Sequence, residues 1–289
     1  MLSALCSLLP KGVMKILITG ANGQLGHDFI GILGADNDLF PFDLDLDITD
    51  FSAVRAKIRD IKPEIIINSA AYTDVDGCET NVEIAYRVNA IGPQNLALAA
   101  KAVGAALVTF STDFVFDGTK TTLYDEFDRP NPMSVYGRSK LAGEEMARTI
   151  HPELYIIRTA WLYGKHGHNF VKTMLRLADE RDVLTVVDDQ VGSPTYSADL
   201  ANRVVEIMNT GFYGTYHVTN SGTASWFEFA RAILEAAGQD PARVRPMKSK
   251  DLNRPATRPA YSALRNYMTE LRQMPPMRSF KEALGDYFS

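Results

Sequence analysis

The chain has 289 residues, 46% of them hydrophobic and 22% charged, with a formal net charge of −5. That length supports one large α/β domain, or a large domain with a smaller companion, and the lack of any basic block argues against a nucleic-acid or anionic-membrane surface as the main function. The two cysteines, Cys6 and Cys78, form no CxxC pair and no zinc spacing, so no metal is expected and a reducing cytoplasm is the expected compartment.

The chain opens on an apolar run from Leu2 to Leu9. No basic residues precede it, no small-residue cleavage site follows, and it is too short to span a bilayer. Residues 1–13 therefore read as an extension ahead of the first strand, and no other segment has the length and apolarity of a membrane span. "MKILITG" is a short β-branched run suited to a strand buried on both faces. It leads through "GANGQLGHDFIGIL", glycine-rich and then helical in pattern, to a second strand at "DLFPFD" and an amphipathic helix at "SAVRAKIRDIKP". "EIIINSAA" reads as the third strand, and "VEIAYRVNAIGPQNLALAAKAVG" as a long helix adjusted at Gly92–Pro93. "ALVTFST" is the fourth strand, a helix starts near Tyr136, and "LYIIRTAWLYG" is a further strand. This alternation predicts an α/β fold with a Rossmann-like, doubly wound parallel sheet over residues 14–164.

Beyond Gly164 the rhythm weakens. Helices are predicted at "NFVKTMLRLADE", "SADLANRVVEIMNT", "SWFEFARAILEAAG" and "SFKEALGDYF", with strands at "LTVVDD" and "GTYHVTN". The stretch "DLNRPATRPAYSALRN" is proline-rich and irregular. Residues 165–289 are expected to form mainly a smaller α/β substrate-binding domain over the carboxyl edge of the sheet.

Gly20, Gly23 and Gly26 stand directly between the first strand and its helix. There, glycines let the backbone approach a pyrophosphate, and the helix start offers free N–H groups and a positive dipole end. The second strand ends roughly 20 residues on, where an acid would hold an adenosine ribose hydroxyl. Asp43, Asp45 and Asp47 all compete for that place, and a carboxylate there favours NAD over NADP. Ala70 and Ala71 are small enough for a cofactor ring to come close, and Thr112 offers a hydroxyl at the end of the fourth strand. Tyr136 and Lys140, four apart on one helix, share a face.

The ordered set of the glycine loop, "NSAAYT", "STDFVFDG", "YGRSK" and "RTAWLYG" resembles the extended short-chain dehydrogenase/reductases. With "DQVGSPTYSADL", "GTYHVTNSG" and "RPAYSAL", it is most similar among them to the dTDP-4-dehydrorhamnose reductase family, from about Met14 to the C-terminus. The resemblance implies NADH or NADPH as cofactor and a 4-keto nucleotide sugar as substrate, in a monomer or homodimer. Tyr136 would protonate the carbonyl oxygen, Lys140 would hold the nicotinamide ribose, and Thr112 would hydrogen-bond the same oxygen. Asp113 and Trp161 would position the sugar; Arg258 would meet the diphosphate or form an interdomain salt bridge. Along the cofactor it places Gln24 and Leu25 through their amides, then Asp43, Asp47, Ile48, Ala70, Ala71, Tyr72 and Ser111. Phe114 departs from the family's usual tyrosine, and no set of magnesium ligands can be matched, so no metal is carried over. Two rivals remain at this stage. One is another nucleotide-sugar epimerase, dehydratase or reductase; the other is a non-catalytic subunit resembling the β-subunit of methionine adenosyltransferase.

Overall fold

Lys15–Thr19 (β1) reads KILIT, and every residue after the first is buried. In a parallel sheet covered by helices, both faces of a strand meet core. Beside it lie β2 (Asp38–Phe42) and β3 (Ile65–Asn68), then β4 (Ala106–Thr112), β5 (Leu154–Thr159) and the strand Gly214–His217. All six are parallel, in the order Gly214–His217, β5, β4, β3, β1, β2. The order reverses at β1, so a crevice opens beyond the carboxyl ends of β1 and β3, where such sheets take ligands. The computed structural model describes residues 12–289, so the expected extension over 1–13 lies outside the described residues apart from its last two.

Each face of the sheet has its own core. Ile16, Ile18 and Ile67 pack with Phe29 of the helix Gln24–Leu33 and Val204 of the helix Ser197–Thr210. Leu17, Ile66 and Leu107 pack with Val54, Ile58 and Leu96 on the opposite side. A buried polar chain crosses the strands: Thr19 Oγ1 donates to Asn68 Oδ1 (2.8 Å), and Asn68 Nδ2 donates to Thr109 Oγ1 (3.2 Å). Since buried polar groups are costly unless paired, this chain fixes the relative register of β1, β3 and β4.

The long helix from Val82 has three pieces: Val82–Tyr86, a π-helical turn at Arg87–Ile91, and Gly92–Val103. Pro93 explains the widened turn. It has no N–H for the carbonyl of Asn89 and its ring would clash there, and the Gly92 N–H bonds back to the Arg87 carbonyl instead. The adjustment therefore falls one turn before the predicted Gly92–Pro93. The predicted strand from Leu154 to Gly164 is also divided. β5 stops at Thr159, and Leu162–Tyr163 pairs with Thr195–Tyr196 in a separate sheet.

After Gly164, two sets of elements interleave. The helix Ser197–Thr210 and the strand Gly214–His217 belong to the main sheet, although they lie beyond the predicted division. A second core gathers Val171, Met174, Phe229, Ile233, Phe280 and Leu284 from the helices Phe170–Glu180, Trp226–Ala236 and Phe280–Phe288. Val244–Met247 pairs there with Leu184–Val187, a strand that gave no apolar run in the sequence because only one of its residues is buried. No helix among the described residues is long and apolar enough to cross a membrane.

Candidate active site

The glycine loop closes on itself before anything binds. Gly20 has φ of +67°, and a Cβ there would fall 2.6 Å from the amide nitrogen of Ala70. A Cβ on Gly26 would fall 2.4 Å from the Gly20 carbonyl. Both positions are therefore demanded by the fold itself. Gly23 differs, because a Cβ would meet only the Gly20 carbonyl, at 3.2 Å. It caps the helix Gln24–Leu33 with no side-chain acceptor, and the first turn carries no acid. The leading amides, Gln24 and Leu25 among them, face an open, electropositive end. Gln24 is also tied by its side chain, whose Oε1 accepts from Asn169 Nδ2 (3.1 Å), while the Leu25 side chain is core.

The acidic stretch after β2 sorts itself by hydrogen bonding. Asp43 Oδ2 accepts from Asn22 Nδ2 of the glycine loop (2.9 Å), which places Asp43 beside the loop. Asp45 accepts from the Asp43 amide (2.7 Å) and Asp47 from the Thr49 amide (2.8 Å), so both cap their own turn. Ile48 is buried beneath this turn against Gly92, and its carbonyl accepts from Asn95 Nδ2. Ala70 and Ala71 follow β3, and Ser111 sits near the end of β4 with a buried hydroxyl that has no partner.

Tyr136 and Lys140 lie in the helix Val135–Ile150, capped by Ser134 Oγ, which accepts from the Gly137 amide (3.1 Å). This helix seats against Phe114 and Asn89 because Gly137 and Gly143 lack side chains; a Cβ on either would fall 2.2 Å from a carbonyl oxygen. The Phe114 ring meets Tyr136 edge-on at 5.6 Å. Thr112 Oγ1 donates to Asp113 Oδ1 (3.0 Å) and accepts from the Phe114 amide (3.2 Å). Burial lifts the Tyr136 phenol above its usual range, with a hydrogen-bonding contact to Thr112 acting the other way. Burial also pushes Asp113 up to about 6, against the opposing pull of Ser262, whose hydroxyl donates to Asp113 Oδ2, and of Thr112. Lys140 is 6% exposed, and desolvation lowers it to about 8. The acid one turn on, Glu144, is engaged by Arg158 through two bonds of 2.9 and 2.7 Å, and its charge partly offsets that lowering.

Three residues that the sequence did not single out organise this centre. Asn89, in the π-helical turn, accepts from the Tyr72 amide (2.9 Å) and donates to the Tyr72 carbonyl (3.0 Å) and to Ser139 Oγ (3.1 Å). It holds the strand end to the Tyr136 helix, and its place four residues before Pro93 was the available signal. Ser262 lies within the "RPAYSAL" stretch, which was its available signal, while Asp76 gave none because it acts through a contact far along the chain. Asp76 takes both arms of Arg258, at 3.0 and 2.8 Å, a salt bridge between residues 182 positions apart, and Arg258 also lines the cavity described next. Trp161 stacks on Trp226. Next to them is a cavity of about 600 Å³ walled by Phe170, Trp226, Gln190, Lys250, Arg254 and Arg258 among others. A space of about 30 Å³ adjoins it, between Phe114, Trp161 and Ser262.

A dinucleotide fits these residues. Uncapped helix amides suit a pyrophosphate, Asp43 suits a ribose hydroxyl, and Ser111 and Lys140 offer polar groups without protein partners in reach. The family described as the RmlD substrate binding domain matches residues 14–289. The chain belongs to this family. A dTDP-4-dehydrorhamnose reductase of Mycobacterium tuberculosis is 44% identical over 279 residues, covering 94% of this chain and 91% of its own. The structure of a dTDP-4-dehydrorhamnose reductase from Clostridium acetobutylicum is 49% identical with a TM-score of 0.93, covering 95% of this chain and 98% of its own. One from Bacillus anthracis, in complex with NADP, is 46% identical with the same TM-score, over 96% of this chain and 99% of that one. Among the described residues no cluster of three or more His, Cys, Asp or Glu side chains is arranged to hold a metal ion.

Proposed function

We propose that the chain reduces the 4-keto group of dTDP-4-dehydro-L-rhamnose to dTDP-L-rhamnose, using NADH or NADPH. The observation that supports this reading is Tyr136 set against Thr112 at the end of β4, with Lys140 one turn on along the same helix and uncapped helix amides after Gly23. The amides after Gly23 and the carboxylate of Asp43 hold the dinucleotide, with Ala70, Ala71, Tyr72 and Ser111 along its path. When bound in reduced form, the cofactor supplies a hydride.

Tyr136 keeps its phenolic proton at neutral pH because burial disfavours the phenolate, so it is set to donate that proton to the sugar's carbonyl oxygen. Lys140, one turn on along the same helix and buried, holds the nicotinamide ribose and is the cation that eases formation of the phenolate. Thr112 has one hydroxyl proton, now directed at Asp113; turned towards the sugar, it stabilises the same oxygen as charge develops. The aromatic and cationic cavity, with Lys250, Arg254 and Arg258, receives the nucleoside diphosphate. In this reading residues 14–164 mainly carry the cofactor, and residues 165–289 mainly close over the sugar and keep water away. Nothing in the site favours a non-catalytic subunit, since its tyrosine, lysine and threonine are all in place.

The test follows reduced-nicotinamide absorbance with dTDP-4-dehydro-L-rhamnose. Cofactor consumption should match dTDP-L-rhamnose formed, and Tyr136→Phe should lower kcat by about 10²–10⁴-fold with cofactor affinity retained. Cofactor binding without oxidation would sink the reductase reading.

A further inference from the structure

The chain has two tryptophans, Trp161 and Trp226, and they stack on each other with centroids 3.5 Å apart and planes within 5°. Trp161 follows β5 with φ of +47°, a left-handed conformation that residues with side chains rarely take. Gly192 backs against its indole, where a Cβ would come within 2.3 Å of the ring. The Trp226 backbone is fixed as well. It begins a helix held by a reciprocal cap, with Ser225 Oγ accepting from the Glu228 amide and the Glu228 carboxylate accepting from the Ser225 amide. What can turn is the Trp226 side chain, held only by ring contacts with Trp161, Phe170 (4.5 Å) and Phe229.

Its position gives that freedom a consequence. Trp226 lines both the cavity of about 600 Å³ and the space of about 30 Å³, whereas Trp161 lines only the smaller one. Trp226 covers one face of the Trp161 indole at 3.5 Å, too close for a hexose ring to enter between them. Of the other walls of the smaller space, Arg258 is tied to Asp76, Ser262 to Asp113, and Phe114 packs against Tyr136. A sugar can take the covered face of Trp161 only if the Trp226 ring moves off it.

We propose that Trp226 is a movable partition and a specificity-determining residue. Its indole covers Trp161 in the empty protein and leaves when the hexose of a nucleotide sugar enters, and the sugar takes the uncovered indole face. This rests on the nucleotide-sugar reading above. A nucleoside diphosphate without sugar fits the larger cavity and leaves the pair stacked.

Since no other tryptophan exists in the chain, intrinsic indole emission reports on this pair alone. The experiment titrates the NADP⁺-loaded protein with dTDP and with dTDP-L-rhamnose, excited where thymine does not absorb, with binding of each measured by calorimetry. The expected result is a clearly larger emission change with dTDP-L-rhamnose than with bound dTDP, which only lies beside Trp226. In Trp226→Leu, where no stack has to be broken, the affinity for dTDP-L-rhamnose relative to dTDP should rise about 2- to 10-fold. Equal emission changes with both ligands, bound dTDP-L-rhamnose without any change, or an unaltered affinity ratio would each overturn the partition and leave the reductase reading standing. Failure of dTDP-L-rhamnose to bind at all would overturn both.

Discussion

The two sides of the cleft are built differently. The cofactor side is made by main chain over short distances: Gly20, Gly23 and Gly26 lie within seven residues, and their turn closes on the neighbouring strand end at Ala70. The sugar side is made by side chains that meet from far apart, as when Ser262 reaches Asp113 across 149 positions and Arg258 reaches Asp76 across 182. A backbone-built wall offers amides at fixed places and suits a ligand shared by many proteins. A side-chain-built wall can be retuned one residue at a time, which suits a variable sugar. The same contrast explains Trp161 and Trp226, which come from different elements and meet only in the folded chain.

The largest effect that would sharpen this contrast is expected within the glycine loop itself. Gly26→Ala should lose about 3 kcal/mol or more in chemical denaturation, because its Cβ would press on two backbone carbonyls that have no room to retreat. Gly23→Ala should leave stability nearly unchanged and weaken dinucleotide binding by about tenfold, read by calorimetry. Equal stability losses at the two positions would break the distinction between a glycine the fold requires and one the ligand requires.

Next in size is Asp113→Asn on the sugar side. The folded protein raises this carboxyl from 3.8 to about 6, so folding disfavours its ionised form. That penalty is absent below pH ~3.8, grows as the pH rises towards ~6, and is constant above. Asp113→Asn should therefore stabilise the protein by up to about 3 kcal/mol at neutral pH and not at all in acid. Urea titrations at both pH values decide it; a gain independent of pH would mean that the buried charge is not what is being removed. The smallest effect is expected at Asp76→Asn, which breaks a partly exposed pair and should cost about 1 kcal/mol. It should also raise KM for the nucleotide sugar more than it alters kcat. An altered kcat at unchanged KM would place Arg258 nearer the chemistry than the diphosphate.

Much of the cofactor side was legible in the sequence because its signals are local. β-branched runs gave β1, β3, β4 and β5, glycine spacing gave the loop, and a spacing of four put Tyr136 and Lys140 on one helix face. Family resemblance supplied the proposed roles of Tyr136 as proton donor and Thr112 as hydrogen-bond donor, which periodicity alone left as a helix surface and a strand end. Other features were not legible. The strand Gly214–His217 rejoins a sheet left some 55 positions earlier, at Thr159. Val244–Met247 is short, and Arg245 and Pro246 interrupt any strand pattern in it.

By itself, then, the sequence determined the βα order, the dinucleotide loop and the family, since these depend on residues within a turn or two of one another. Only the tertiary structure decided which of three aspartates faces the glycine loop and that Arg258 is held by Asp76. It also decided that two indoles from different elements cover each other. Those outcomes depend on hydrogen bonds and packing between distant segments, whose partners are fixed when the chain closes and not by any neighbour in the sequence.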